Sequence, residues 1–150
     1  MKQRLSSVAA IAFGAALSAL FMVALPARAQ GATAGCVKLE VQNVRPGEGT
    51  LMVAAYADAA TFSKSPLVAT QMRVGAATTM AFPLCGLTGA DVALTLYQDL
   101  NGNGKLDANA LGIPSEPWGA SGKPHAMMAP TWEMTVVPLD GSTIVVKLSK

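Results

Sequence analysis

Val37-Lys-Leu-Glu-Val-Gln42 decides the fold class. Val37, Leu39 and Val41 alternate with Lys38, Glu40 and Gln42, the period of two that puts one face of an extended chain in a core and the other in water. The same alternation, bounded by turn residues, recurs at Thr50 to Tyr56, Ala69 to Val74, Thr78 to Phe82, Val92 to Gln98, Trp132 to Val137 and Thr143 to Leu148. Seven short strands without a long helical period predict an all-β domain, a seven-stranded antiparallel β-sandwich of immunoglobulin-like or transthyretin-like outline. Arg45-Pro-Gly-Glu-Gly49 reads as a turn joining the first two strands in a hairpin. Asp58 to Lys64 has room for one helical turn before Pro66.

Upstream of the first strand the pattern changes. Lys2 and Arg4 precede an apolar run from Val8 to Leu25, then Pro26 and the small-residue triplet Ala27-Arg28-Ala29. This is the three-part layout of a secretory signal, so residues 1–29 are expected to be removed, leaving 30–150 as one domain. Two other readings compete. The apolar run is 18 residues long, enough to span a bilayer uncleaved, and Thr33-Ala34-Gly35-Cys36 loosely resembles a lipoprotein box that would place a lipid on Cys36. On the signal reading the membrane is met only before cleavage, and the expected location is periplasmic or secreted.

Cleavage takes Lys2, Arg4 and Arg28 away. Eight basic side chains then face nine acidic ones, a net charge of −1. The basic character of the whole chain therefore says nothing about nucleic acid, and no Lys/Arg cluster is left to line phosphates. The two cysteines, Cys36 and Cys85, belong to a chain bound for an oxidising compartment and are expected to pair. A redox or nucleophilic cysteine would want a C-x-x-C spacing or a neighbouring histidine.

One segment breaks the rhythm of strands. Residues 99–130 are rich in Gly, Pro, Asn and Asp, and loops of more than about 12 to 15 residues are usually functional or disordered. Within it, Asp99-Leu-Asn-Gly-Asn-Gly-Lys-Leu-Asp107 sets oxygen-bearing side chains at positions 1, 3, 5 and 9, with Gly104 at position 6. A tightly coiled loop turns alternate side chains inward, so Asp99, Asn101, Asn103, the Lys105 carbonyl and Asp107 are the expected ligands of a Ca²⁺ ion, as in an EF-hand loop. Ala110 stands at position 12 in place of the bidentate Glu, leaving Glu116 or water to complete the shell and affinity weak, about 10⁻⁴ to 10⁻³ M. The same residues equally form a metal-free stack of Asx turns.

Asp99-x-Asn-x-Asn-Gly-Lys-Leu-Asp107 followed by Gly112-Ile-Pro-Ser-Glu-Pro-Trp-Gly119-Ala-Ser121 resembles the uncharacterised bacterial exported proteins grouped as one domain of unknown function. The resemblance runs from about Cys36 to Leu148. It implies a periplasmic or secreted β-sandwich without an assigned activity and supplies no catalytic residues. Pro114 and Pro117 stiffen the second motif, holding Glu116 and Trp118 near the ion loop. Trp118 reads as a lid over the core rather than a sugar-stacking platform.

His125 with Met127 and Met128 offers soft copper ligands, while Met52, Met72, Met80 and Met134 read as core filler. Ser121 and His125 lie near Glu116 in sequence without a nucleophile elbow, and Asp107 with Glu116 makes a carboxylate pair. The expected function is a non-catalytic, calcium-ordered binding or interaction module acting on a cell-envelope protein or a small ligand. A periplasmic carrier or sensor of a small ligand or metal is the second reading, and a hydrolytic enzyme the third.

Overall fold

The computed structural model describes residues 35–125 and 128–149. The expected signal segment, its cleavage point and Met127 lie outside them. Among the described residues no helix is long and apolar enough to cross a membrane.

The chain is all-β, two mostly antiparallel sheets packed over one core. Its strands are β1 (Gly35–Gln42), β2 (Thr50–Tyr56), β3 (Val68–Arg73), β4 (Thr79–Leu87), β5 (Asp91–Asp99), β6 (Trp118–Ala120), β7 (Val136–Pro138) and β8 (Ile144–Lys147), with one helical turn, α1 (Trp132–Thr135), before β7. One sheet has the order β4-β1-β8 and the other β3-β2-β5-β6, with β7 also pairing β5. Leu39 and Val41 from β1, Leu84 from β4 and Val146 from β8 meet Leu51, Val53, Leu94 and Leu96 from β2 and β5 in one buried cluster. The alternation read from the sequence is thus the inward face of each strand.

Four expectations are corrected. The described residues hold eight strands, not seven, because β6 lies within the segment expected to be loop. β1 and β2 are not a hairpin: β1 pairs antiparallel with β4 and parallel with β8, while β2 pairs with β3 and β5. Between them the chain crosses from one sheet to the other, turning at Asn43 (φ +62°), whose side-chain amide donates to the Leu148 carbonyl at 3.1 Å. The fourth strand does not stop before Pro83 but runs on to Leu87. As β4 lies at a sheet edge, the missing Pro N–H costs the ladder nothing.

The last correction concerns Trp132 to Val137. Its first four residues coil into α1, held by the Thr135 hydroxyl donating to the Thr131 carbonyl at 2.7 Å. The coil delivers Trp132 edge-on to Phe62, itself edge-on to Tyr56, with ring centroids 6.3 and 5.1 Å apart. That aromatic group covers one end of the outer face of the larger sheet. Phe62 reaches it from the turn after β2, where its N–H donates to the Asp58 carbonyl.

Cys36 and Cys85 are paired in a disulfide. They stand directly opposite one another in the β1–β4 ladder, so the covalent link reinforces a pairing between strands that begin 44 residues apart.

Candidate functional site

The candidate loop starts where β5 ends, and two buried residues fix that point. Gln98 points into the core; its amide donates to the carbonyls of Arg45 at 2.9 Å and Glu48 at 2.7 Å and its carbonyl accepts from the Arg45 N–H at 2.9 Å. It thereby ties the β1–β2 crossing to β5. Gly49 comes so close to the exit of β5 that a Cβ there would stand 2.0 Å from the Asp99 carbonyl oxygen.

From this anchor the loop coils. Asp99, only 3 % exposed, accepts the Gly102 N–H on one carboxylate oxygen at 2.8 Å and the Gly104 N–H on the other at 2.7 Å. Gly104 permits the bend by taking φ +74°, a region where a Cβ would be strained. Asn101 and Asn103 each accept the N–H two residues on, at 3.0 and 2.8 Å, closing successive Asx turns. Their side-chain amides converge on the Asp107 carboxylate at 2.6 to 3.0 Å. The phenol of Tyr97 donates to the Gly104 carbonyl at 2.8 Å and braces the bend from the sheet.

Glu116 spans the base of the loop. It is 6 % exposed, and its two oxygens accept the N–H groups of Leu100 at 2.7 Å and Asp107 at 3.1 Å. Its carboxylate staples the two ends of the loop together. The crowding of acids leaves its mark on Tyr97, whose pKa is raised first by burial and then by the charges of Asp99 and Glu116.

After Asp107 the chain makes a small excursion. Ala108 bridges Pro114, Asn109 exchanges backbone hydrogen bonds with Gly112 and Ile113, and the Asn109 side chain accepts the N–H groups of Leu111 and Ile113. The tip presents Leu111 and Ile113 to solvent. Trp118 follows on β6, opposite Tyr97 in the ladder and so on the outer face of the larger sheet. It is not a lid over the core; it forms one wall of a cleft facing the excursion and residues 128–130.

The structure therefore brings Asn101, Asn103 and Asp107 into mutual contact, curls Asp99 over the same turn, and places Glu116 at its base. Among the described residues no three His, Cys, Asp or Glu side chains come together in one group. The loop itself offers two carboxylates, two amide oxygens and the Lys105 carbonyl. Ser121 is fully buried, its hydroxyl accepting the Leu94 N–H at 2.9 Å and donating to the Thr135 carbonyl. It is committed to the backbone, while His125 and Met128 are exposed.

Sequence reasoning missed Gln98, Tyr97 and Asn109. Gln98 had a signal, being a polar residue in register with inward-facing Val92, Leu94 and Leu96. Tyr97 and Asn109 had none, since their partners are backbone carbonyls and N–H groups that only the coiled loop brings near.

No curated protein and no solved structure shows a match to the chain. The family described as an uncharacterized protein conserved in bacteria, DUF2141, matches residues 39–147, both sheets and the whole of the candidate loop, and the chain belongs to that family.

Proposed function

We propose that this protein is an exported, non-catalytic binding module of the cell envelope whose 99–107 loop is ordered by a Ca²⁺ ion. The observation that supports the reading is that one short coil gathers two carboxylates: Asp99, drawn inward by two backbone N–H groups, and Asp107, held at 2.6 to 3.0 Å by the side-chain amides of Asn101 and Asn103, donors that a bound ion would displace. Each oxygen that closes an Asx turn keeps a second lone pair for a cation. Asp99, Asn101, Asn103, Asp107 and the Lys105 carbonyl would hold the ion, and water would fill the place of the side chain that Ala110 lacks. Calcium tolerates such a mixed oxygen shell, whereas Mg²⁺ prefers few protein ligands. Export is supported by the signal-like segment at 1–29 and by the disulfide, a bond at home in oxidising compartments. At the level of fold we propose a sandwich of the immunoglobulin-like or transthyretin-like kind.

Calorimetric titration of residues 30–150 with Ca²⁺ tests the ion. Saturable binding with a Kd of about 10⁻⁴ to 10⁻³ M is expected. At ten times Kd the folded state should gain about 1.4 kcal/mol, which for a domain of this size raises Tm by about 5 °C. Asp99→Ala should remove the difference between melting curves recorded with calcium and with chelator. Identical curves for the wild type, or an undiminished response in the variant, would overturn the assignment.

A further inference from the structure

Two hollows meet at Trp118. The first, of about 320 Å³, is lined by Leu106, Leu111, Ile113, Trp118, Met128 and Pro130 among others. The second, of about 200 Å³, is lined by Trp118 with Pro124, His125, Lys147 and Ser149 among others. Of the six large hydrophobic side chains exposed among the described residues, four line the first hollow, with Leu111 82 % and Ile113 49 % exposed. Apolar surface gathered in one place, and not scattered, marks a contact site.

Charge gives the cleft a direction. The first hollow is lined by no charged side chain. The second hollow, which shares Trp118 with it, is lined by Lys147 and His125 and by no carboxylate. Apolar walls at one end and cationic or N–H donors at the other are complementary to one kind of molecule. We propose that the cleft binds a single-chain amphiphilic anion, its hydrocarbon between Trp118 and the Leu111–Ile113 tip and its carboxylate head at Lys147 and His125. The first hollow lies at the small end of the range for ligand sites, about 300 to 1,000 Å³, and so admits one short chain in preference to a two-chain lipid. A carboxylate on Lys147 makes a hydrogen bond between opposite charges, which a neutral head cannot. This assignment names the ligand of the binding-module reading and rests on it, but it does not need the calcium ion.

The test uses Trp118 as its own reporter. Trp132→Phe leaves it the only tryptophan of the two in the chain. In that background, with chelator present, octanoate should shift the Trp118 emission saturably with a Kd below about 1 mM, the weak limit of specific affinity. 1-Octanol should bind at least about fivefold more weakly and acetate not at all, the pairing of opposite charges and the apolar burial each being needed. Lys147→Ala should weaken octanoate about five- to tenfold while leaving octanol unchanged, and Leu111→Ser should weaken both. Absence of a saturable shift, equal affinity for octanol, or an unaltered Lys147→Ala titration would overturn the proposal. So would sedimentation with phosphatidylglycerol vesicles in the absence of any octanoate response, which would make the cleft a membrane-docking surface. Because chelator is present throughout, failure here and failure of the calcium melting experiment are separate results.

Discussion

Gln98 is a fully buried polar side chain whose three hydrogen bonds all go to backbone of another segment. Gln98→Leu keeps the size but leaves the Arg45 N–H and the carbonyls of Arg45 and Glu48 without partners. Each unpaired buried group costs about 1 to 3 kcal/mol, lessened where water reaches it, so the substitution should destabilise by about 3 kcal/mol. Urea denaturation measures this, and a loss below about 1 kcal/mol would show that the β1–β2 crossing is held by other contacts. At this scale the coil of the 99–107 loop was legible in part: the alternate spacing brings Asn101, Asn103 and Asp107 together, with the side-chain amides donating to the Asp107 carboxylate and the amide oxygens closing Asx turns. Glu116 was legible as belonging to the site, but not its task, because its two partners are backbone N–H groups at Leu100 and Asp107.

At the scale of strands the disulfide carries the clearest consequence. Cys36 and Cys85 are 49 residues apart in sequence, and closing a loop of that size restricts the unfolded chain by about 4 kcal/mol on the entropy model. Reduction, or replacement of both cysteines by Ser, should lower the stability of the domain by about that amount, read from denaturant midpoints with and without reductant. A change under about 1 kcal/mol would mean that the β1–β4 ladder alone holds the edge.

Strand positions were legible because a half-buried strand writes its faces into the sequence, as Val37, Leu39 and Val41 do. Pairing was not. Arg45-Pro-Gly-Glu-Gly49 has the turn chemistry of a hairpin, yet both edges of β1 are taken by strands distant in sequence. Nothing in the local pattern states that competition. Trp132-Glu-Met-Thr135 has the alternation of a strand but coils, because the Thr135 hydroxyl finds the Thr131 carbonyl and Trp132 finds Phe62. β6 was invisible for the opposite reason: three residues are too few to show a period.

Over the whole molecule, three exposed carboxyls share one property. Asp58 and Asp140 are lowered from an ordinary value of 3.8, chiefly by backbone N–H groups at Thr61 and Ser142. Glu133 is lowered from 4.5, chiefly by a backbone hydrogen bond at its own residue and then by the Thr131 side chain. A carboxyl whose folded pKa lies below its unfolded one stabilises the fold above the unfolded value, and that contribution disappears as pH falls through the folded value. Stability should therefore be level with respect to these groups at neutral pH and decline as pH drops below about 4. Thermal melts between pH 3 and 7 check the sign; a rise in Tm on acidification below 4 would contradict it.

The parallel pairing of β8 beside β1 reaches beyond the finished fold. Gln42 lies opposite Lys147, so a chain made from its N-terminal end carries a strand with one bare flank while about a hundred further residues are synthesised. Until β8 arrives, that flank is an open template for any neighbouring extended segment. Such distant partners also make the search slow. The molecule thus completes its smaller sheet only after synthesis has passed residue 147, the last strand to be made being the one that closes off the first.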